Sequence, residues 1–187
     1  MTNKRKPRNP ISVIRTGNGD SGSTFFKNQL YWKTDPQVQF VGDLDEACAF
    51  LGQVQSLDFD APGFTKMLNR SQEVLFEIGA MTHSEEALSN HLRNLENYVA
   101  SLSSFMNNFL AEVDLPELHG FIIPTPQNST AMIARAVIRR AERSAVKANC
   151  MWAVPALNIM SDFLFLVSWY QDASKQWAGF NKSDFSA

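Results

Sequence analysis

From Pro155 to about Ser174 the chain reads PALNIMSDFLFLVSWYQDAS, a helical stretch that is apolar on nearly every side. A surface helix shows one apolar stripe, whereas a helix apolar all round must be enclosed by other elements. The segment therefore predicts the central helix of a bundle. Its polar exceptions, Asn158 and Asp162, stand one turn apart and share a face. A carboxylate buried there needs a cation or hydrogen-bond donors, and a neighbouring arginine would serve.

The enclosing helices can be read from their spacing. Patterning starts after Gly42, with Asp43 as a cap, Glu46 three residues on as in a capping box, and Ala47, Phe50, Leu51 and Val54 at helical intervals. After the break SLDFDAPG, a second helix is expected over Gly63–Ala80. A third runs from Ala87 to about Val113, carried by Leu88, Leu92, Leu95, Val99, Leu102, Phe105, Met106 and Phe109 and stopped by Pro116. GFIIPTP, Gly120 to Pro126, is expected to run extended into a fourth helix, Met132 to Asn149, capped by Asn128 or Ser129. Five helices with short connections make an all-α, antiparallel five-helix bundle, preceded by an irregular N-terminal Gly-rich loop.

One domain is expected in 187 residues, over 11–178, between a disordered basic tail at 1–10 and a C-terminal tail at 179–187. Apolar residues at 44% and charged residues at 19% are those of a soluble globular protein, and a net charge of -2 gives no global attraction for nucleic acid. The N-terminal arm lacks the apolar region of a signal peptide. No apolar run reads as long enough to span a membrane; the richest is Phe163 to Val167. Cys48 and Cys150 have no metal or redox spacing and read as free thiols in a reducing, cytoplasmic compartment. His83, His91 and His119 show no mutual spacing for a metal, and no protein metal site is expected.

The fourth helix carries the strongest concentration of charge. Ala134, Val137, Ile138, Ala141, Ala145 and Ala148 fall on one side, Arg135, Arg139, Arg143 and Lys147 on the other, with Arg140 beside them and Glu142 as the one local acid. Like charges four residues apart cost roughly 0.2–0.5 kcal/mol per pair, so the stripe either faces solvent or awaits something negative. Arginine forks spaced one turn apart suit phosphate oxygens. Thr16-Gly17-Asn18-Gly19-Asp20-Ser21-Gly22-Ser23-Thr24 lacks the ending of a P-loop, and its glycines and small polar residues exclude regular structure. It is either a surface turn or a phosphate lining of backbone N–H groups and hydroxyls, and Lys33 is either a solvated charge or a third cation. Asp45 and Glu46 alone read as first-turn acids favoured by the helix dipole. Asn158 alone reads as a core amide and Phe121 as ordinary core.

TGNGDSGST, KTDPQVQFVGDLDEACAFLG, ARAVIRRAER and LNIMSDFLF occur in the order and approximate spacing of the ATP:cob(I)alamin adenosyltransferases of the propanediol-utilisation type. The chain resembles that family from about Ile14 to Tyr170, most specifically in RRAER and in D-P-x-V-x-x-x-G-x-L-D-E. The resemblance implies a trimer of five-helix bundles, with ATP held between subunits and cobalamin docked nearby. It implies transfer of the 5′-deoxyadenosyl group from ATP to cob(I)alamin, giving adenosylcobalamin and triphosphate, with Mg²⁺ on the nucleotide and a reductase delivering the electron to cobalt. Thr16, Gly17, Asn18, Gly19, Asp20, Gly22, Ser23 and Thr24 would wrap the triphosphate with Lys33. Arg139, Arg140, Glu142 and Arg143 would sit on the nucleotide and Asn158 would reach it from the last helix, with Arg139, Arg143 and Asn158 closest to the chemistry. Arg135 would pair with Asp45 on the cobalamin side, beside Asp162, and Phe121 would keep the lower axial ligand off cobalt.

Cob(I)alamin is already a strong nucleophile, so such a reaction needs alignment and a stabilised triphosphate leaving group rather than a protein base. The chain departs from the family pattern at Ile159, where arginine usually follows the asparagine, at Cys48 in place of an asparagine, and at Thr125-Pro126 in place of Gly-Gly before a shortened link to Arg135. Two other classes stay open beside the enzyme: a relative that binds ATP or adenosylcobalamin without turnover, and a nucleic-acid binder using the arginine stripe.

Overall fold

The computed structural model describes residues 17, 19–27, 29–57, 61–83, 88–118 and 122–173. Both tails, Thr16, Asn18 and Phe121 lie outside them. The elements are strands β1 (Ser23–Phe26) and β2 (Gln29–Trp32), then helices α1 (Pro36–Gln55), α2 (Phe64–His83), α3 (Leu88–Glu112), α4 (Ser129–Lys147) and α5 (Val154–Ala173). A single 3₁₀ turn, Met151–Ala153, leads into α5. Helix α4 packs between α1 and α5, α2 lies on α1, and α3 closes on α5. The all-α bundle is as expected, with one small addition.

That addition is an antiparallel hairpin in which Ser23 faces Trp32, Phe25 faces Leu30 and Phe26 faces Gln29. Ser23 and Thr24 are therefore strand residues, contrary to the expectation that the glycine-rich run excludes regular structure throughout. Phe26 turns inward against the His83 ring, 4.5 Å between centroids, while Phe25 and Leu30 stay exposed.

Helix α1 starts at Pro36 rather than after Gly42. Proline at the first helical position has its φ already set and forfeits no hydrogen bond there. Asp35 before it is extended, as a residue preceding proline must be, and its carboxylate accepts the Trp32 N–H at 2.8 Å. Asp43 and Glu46 are consequently mid-helix, and the capping box expected of them does not exist. Asp43 is buried instead.

Helix α4 shows why two neighbours can approach it. Its inward residues Ala131, Ala134, Val137, Ile138, Ala141 and Ala145 are mostly small, and all are buried. Asn128 precedes it without capping it: the amide oxygen accepts the Thr125 N–H at 2.7 Å and the side chain is wholly buried, so it closes the entering turn. At the other end Asn149 takes φ 59°, with Cys150 N–H bonded to Ala145 O and Asn149 N–H to Val146 O. That is the Schellman arrangement, and it aims the chain into α5.

Helix α5 is central. Leu157, Met160, Phe163, Leu164 and Val167 are fully buried, each worth about 1.5–3 kcal/mol on the transfer scale. Within the 23-residue stretch Met151–Ala173 an 18-residue window has mean hydropathy 1.5, enough by length and composition to cross a membrane, contrary to the expectation that no apolar run is long enough. Within this bundle the protein itself covers it: 56% of that window is buried. At its far end Phe64, Phe105, Phe109, Phe163 and Tyr170 form one aromatic cluster, with centroids 4.7–6.1 Å apart. Gly63 is required beside it, because φ is 87° and a Cβ would lie 2.7 Å from the Phe105 ring.

Candidate active site

Consecutive residues on a helix point about 100° apart, so Arg139 and Arg140 serve different neighbours. On the α5 side, Arg139 lies 3.9 Å from Glu142, and Glu142 accepts a hydrogen bond from the Asn158 amide at 3.3 Å. Arg135 places its guanidinium 5.3 Å from the centre of the Phe165 ring, a cation–π contact. Asp162 lies in the field of Arg135, Arg139 and Glu142. Partial burial pushes its carboxyl above 3.8; Arg135 and Arg139 draw it back down and Glu142 adds to the rise.

Asn158 and Asp162 share the expected face, but that face is exposed and is not enclosed in the core. The reason is geometric: α5 buries its Phe163–Leu164 and Met160 sides, and the Asn158–Asp162 line opens beside α4. Arg135 and Arg139 act on Asp162 through their charge alone and do not outweigh the effect of its burial. Arg143 and Lys147 are exposed, with no ion-pair partner among the described residues. The described part of the stripe is thus only partly neutralised, as a polyanion site requires.

On the α1 side the picture differs from the expected one. Arg140 faces acids of its own chain: its guanidinium donates to the Glu46 carboxylate, and Nε stands 3.7 Å from Asp43. Asp43 also accepts from Ser144 Oγ and, at 2.9 Å, from the Gln39 amide. Sequence reasoning missed this cluster by treating Asp43 and Glu46 as caps. The signal was present: two acids at i and i+3 on one helix and one surplus arginine on another.

The N-terminal loop curls tightly over Lys33. Asp20 N–H bonds Gly17 O at 3.3 Å, Gly22 N–H bonds Gly19 O at 3.2 Å, and Lys33 N–H bonds Gly22 O at 2.9 Å. A Cβ on Gly19 would sit 2.8 Å from Lys33 Nζ, so the ammonium lies against the glycine backbone. Gly17 and Gly22 have φ of 69° and 81°, conformations that glycine adopts without strain. Lys33 and the described loop residues Gly17, Gly19, Asp20, Gly22, Ser23 and Thr24 are thus brought together.

Asp45 stands apart from Arg135 within one chain. It is exposed on α1 and borders a cleft of about 220 Å³ with Cys48, Leu75, Phe76 and His83, and Phe76 is 70% exposed. Burial and then the nearby Asp45 charge push the Cys48 thiol up, and burial does the same at Cys150, against the pull of Lys27. Both thiols are free. Arg135 keeps a buried Nε without a hydrogen-bond partner. Among the described residues no group of three or more His, Cys, Asp or Glu side chains is gathered for a metal.

The family model for cobalamin adenosyltransferase matches residues 14–171. The corrinoid adenosyltransferase of Mycobacterium tuberculosis is 33% identical over 171 residues, covering 84% of this chain and 88% of that protein. That of Mycobacterium leprae is 30% identical over 174 residues, with 84% and 90% covered. Among solved structures, a variant of the PduO-type ATP:corrinoid adenosyltransferase from Lactobacillus reuteri, complexed with cobalamin and ATP, superposes with a TM-score of 0.63 at 25% identity. It covers 84% of this chain and 92% of that one. The chain therefore belongs to the cobalamin adenosyltransferase family, and its bundle is that of the family's PduO-type members.

Proposed function

We propose that this chain is an ATP:cob(I)alamin adenosyltransferase whose nucleotide site is the face shared by α4 and α5, completed by the Gly-rich loop. The observation that carries the reading is the convergence of Arg135, Arg139, Glu142, Asn158 and Asp162 on one open face, beside Arg143, which is unpaired among the described residues. In the reaction, the cobalt(I) electron pair attacks the ribose 5′ carbon, a Co–C bond forms, and the C–O bond breaks with its electrons leaving on triphosphate. Arg139 and Arg143 stabilise that leaving group, Lys33 and the loop N–H groups hold its outer phosphates, and Asn158 fixes the nucleotide from α5. Mg²⁺ arrives as the nucleotide's counter-ion, held by hard phosphate oxygens; the described residues gather no metal cluster of their own.

We assign the unmatched pair Arg135 and Asp45 to neighbouring copies in a homotrimer. The buried, unpartnered Arg135 Nε and the exposed Asp45 support this, since neither finds the other within the chain. The cleft beside Asp45 is too small for a corrin ring, which suits the edge of a site that a second copy completes. Phe121, outside the described residues, is assigned to the lower face of the corrinoid. We place the reaction in the cytoplasm, where Cys48 and Cys150 stay reduced.

The test is anaerobic absorbance spectroscopy of purified protein with chemically reduced cob(I)alamin and MgATP. The adenosylcobalamin spectrum is expected, with one triphosphate released per Co–C bond. ATP bound without any Co–C bond would refute turnover and leave a nucleotide-binding relative.

A further inference from the structure

The family resemblance implies that Arg140 sits on the nucleotide, yet its guanidinium is held by two carboxylates of α1, Glu46 and Asp43. Asp43 is only 4% exposed, and a buried carboxylate is stable only when its lone pairs are answered. Gln39, Ser144 and Arg140 do so together, two of them from successive turns of α4. The contacts therefore fix more than the distance between the helices. They fix the rotation of α4 about its own axis, because Arg140 and Ser144 must both face α1.

The arginines on either side of Arg140 inherit that rotation. An arginine tip stands roughly 9 Å from the helix axis, so a turn of about 10° moves it by about 1.5 Å. Displacements near 1 Å at a reacting centre cost on the order of a hundredfold in rate. Asp43 and Glu46 also bracket Asp45 in the sequence, so the same contacts set the α1 edge assigned to the corrinoid.

We propose that Arg140 is a positioning residue: clasped between Asp43 and Glu46, it sets the aim of Arg139 and Arg143 at the triphosphate and touches no substrate itself. The proposal rests on the nucleotide site described in the preceding section. It also makes Glu46 a determinant of ATP affinity, although an acid near a triphosphate would ordinarily weaken binding.

The experiment measures the MgATP dissociation constant by titration calorimetry, and the adenosyl-transfer rate, for full-length wild type, Glu46→Gln, Arg140→Gln, Arg140→Lys and the Arg140→Gln/Glu46→Gln double variant. All are measured well below their unfolding midpoints. Glu46 is chosen over the buried Asp43 because its side chain is 42% exposed and its variant should fold. Glu46→Gln is expected to weaken ATP binding about fivefold and to lower the rate. Arg140→Gln should weaken it about tenfold, Arg140→Lys should recover part of that loss, and the double variant should be no worse than Arg140→Gln. A direct phosphate ligand predicts the opposite sign at Glu46, since freeing Arg140 would tighten ATP. Tighter binding in Glu46→Gln overturns the proposal. So do folded variants with unchanged affinity and rate, which would make the clasp a matter of stability alone. Wild type that binds ATP without forming a Co–C bond removes the reaction but leaves the affinity comparison intact. Wild type that binds no ATP overturns both.

Discussion

Arg139→Ala separates the energetics of the fold from those of the site. Arg139 keeps 43% of its side chain exposed, and its one carboxylate neighbour, Glu142, is 3.9 Å away. Losing such a pair costs about 0.2–0.5 kcal/mol. Arg135 and Arg143 stand four residues to either side, and relieving two like-charge pairs returns about 0.4–1 kcal/mol. Net stability should change by no more than about 0.8 kcal/mol, and upward if at all, a shift of about 3 °C or less in Tm for a chain of this length. At the triphosphate the balance is different. A hydrogen bond to a charged group is worth about 1.5–3 kcal/mol, or roughly 10- to 150-fold in ATP affinity. Losing charge stabilisation of the leaving group lowers kcat by a further 10²–10³-fold or so. The assay is anaerobic adenosylcobalamin formation against ATP concentration, with calorimetric Tm alongside and Arg139→Lys as the variant that keeps charge but loses the fork. A kcat/KM within threefold of wild type in a folded Arg139→Ala protein would refute the assignment. A fall in Tm of more than 5 °C would refute the stability argument instead.

Further outcomes follow from the geometry. Gly63→Ala meets both a φ of 87° and the Phe105 ring at 2.7 Å, so a loss of about 2–4 kcal/mol and a Tm lower by roughly 5–15 °C are expected in scanning calorimetry. Ser71 Oγ donates to Met67 O and so accepts from the buried Tyr98 hydroxyl, 2.7 Å away. Ser71→Ala strands the Tyr98 donor at about 1–3 kcal/mol, whereas Tyr98→Phe leaves Ser71 bonded at about 1 kcal/mol; urea unfolding giving the reverse order would contradict this hydrogen-bond direction. Asp162 holds its proton more tightly folded than unfolded, so its contribution is full below 3.8 and is lost as pH rises through the raised value. Relative to Asp162→Asn, wild type should therefore lose stability as pH climbs from 3.8, and parallel pH–stability curves would count against the shift.

Where the sequence was decisive, a single period dominated. Helix α5 declared its central position by having no polar side, and the Ala-rich flank of α4 declared its buried face. Spacing put Arg135, Arg139 and Arg143 on one face of α4, and Asn158 and Asp162 on one face of α5; bringing the two faces together rested on the resemblance. What failed was what spacing leaves open. Asp43 and Glu46 suit a helix start as well as a helix middle, and only Pro36 decides between them. Spacing set Arg140 beside the stripe without naming its neighbour, and 100° of rotation from Arg139 delivers it to the acids of α1. The hairpin was hidden because two four-residue strands carry too little pattern beside a run of glycines.

The wholly buried Asn128, which ties the turn before α4 to Thr125, has a consequence for how this chain can vary. The link between Glu112 and Thr125 can gain or lose residues without disturbing anything downstream, since Asn128 restarts the count each time. Between Asn128 and Arg143 the tolerance is nil. One inserted residue would turn every following side chain by about 100°, delivering Arg139 to the acids of α1 and leaving the α5 face without it. Insertions and deletions in natural variants of this chain should accordingly stop at Asn128, and a lineage that breaks that rule should have abandoned the reaction.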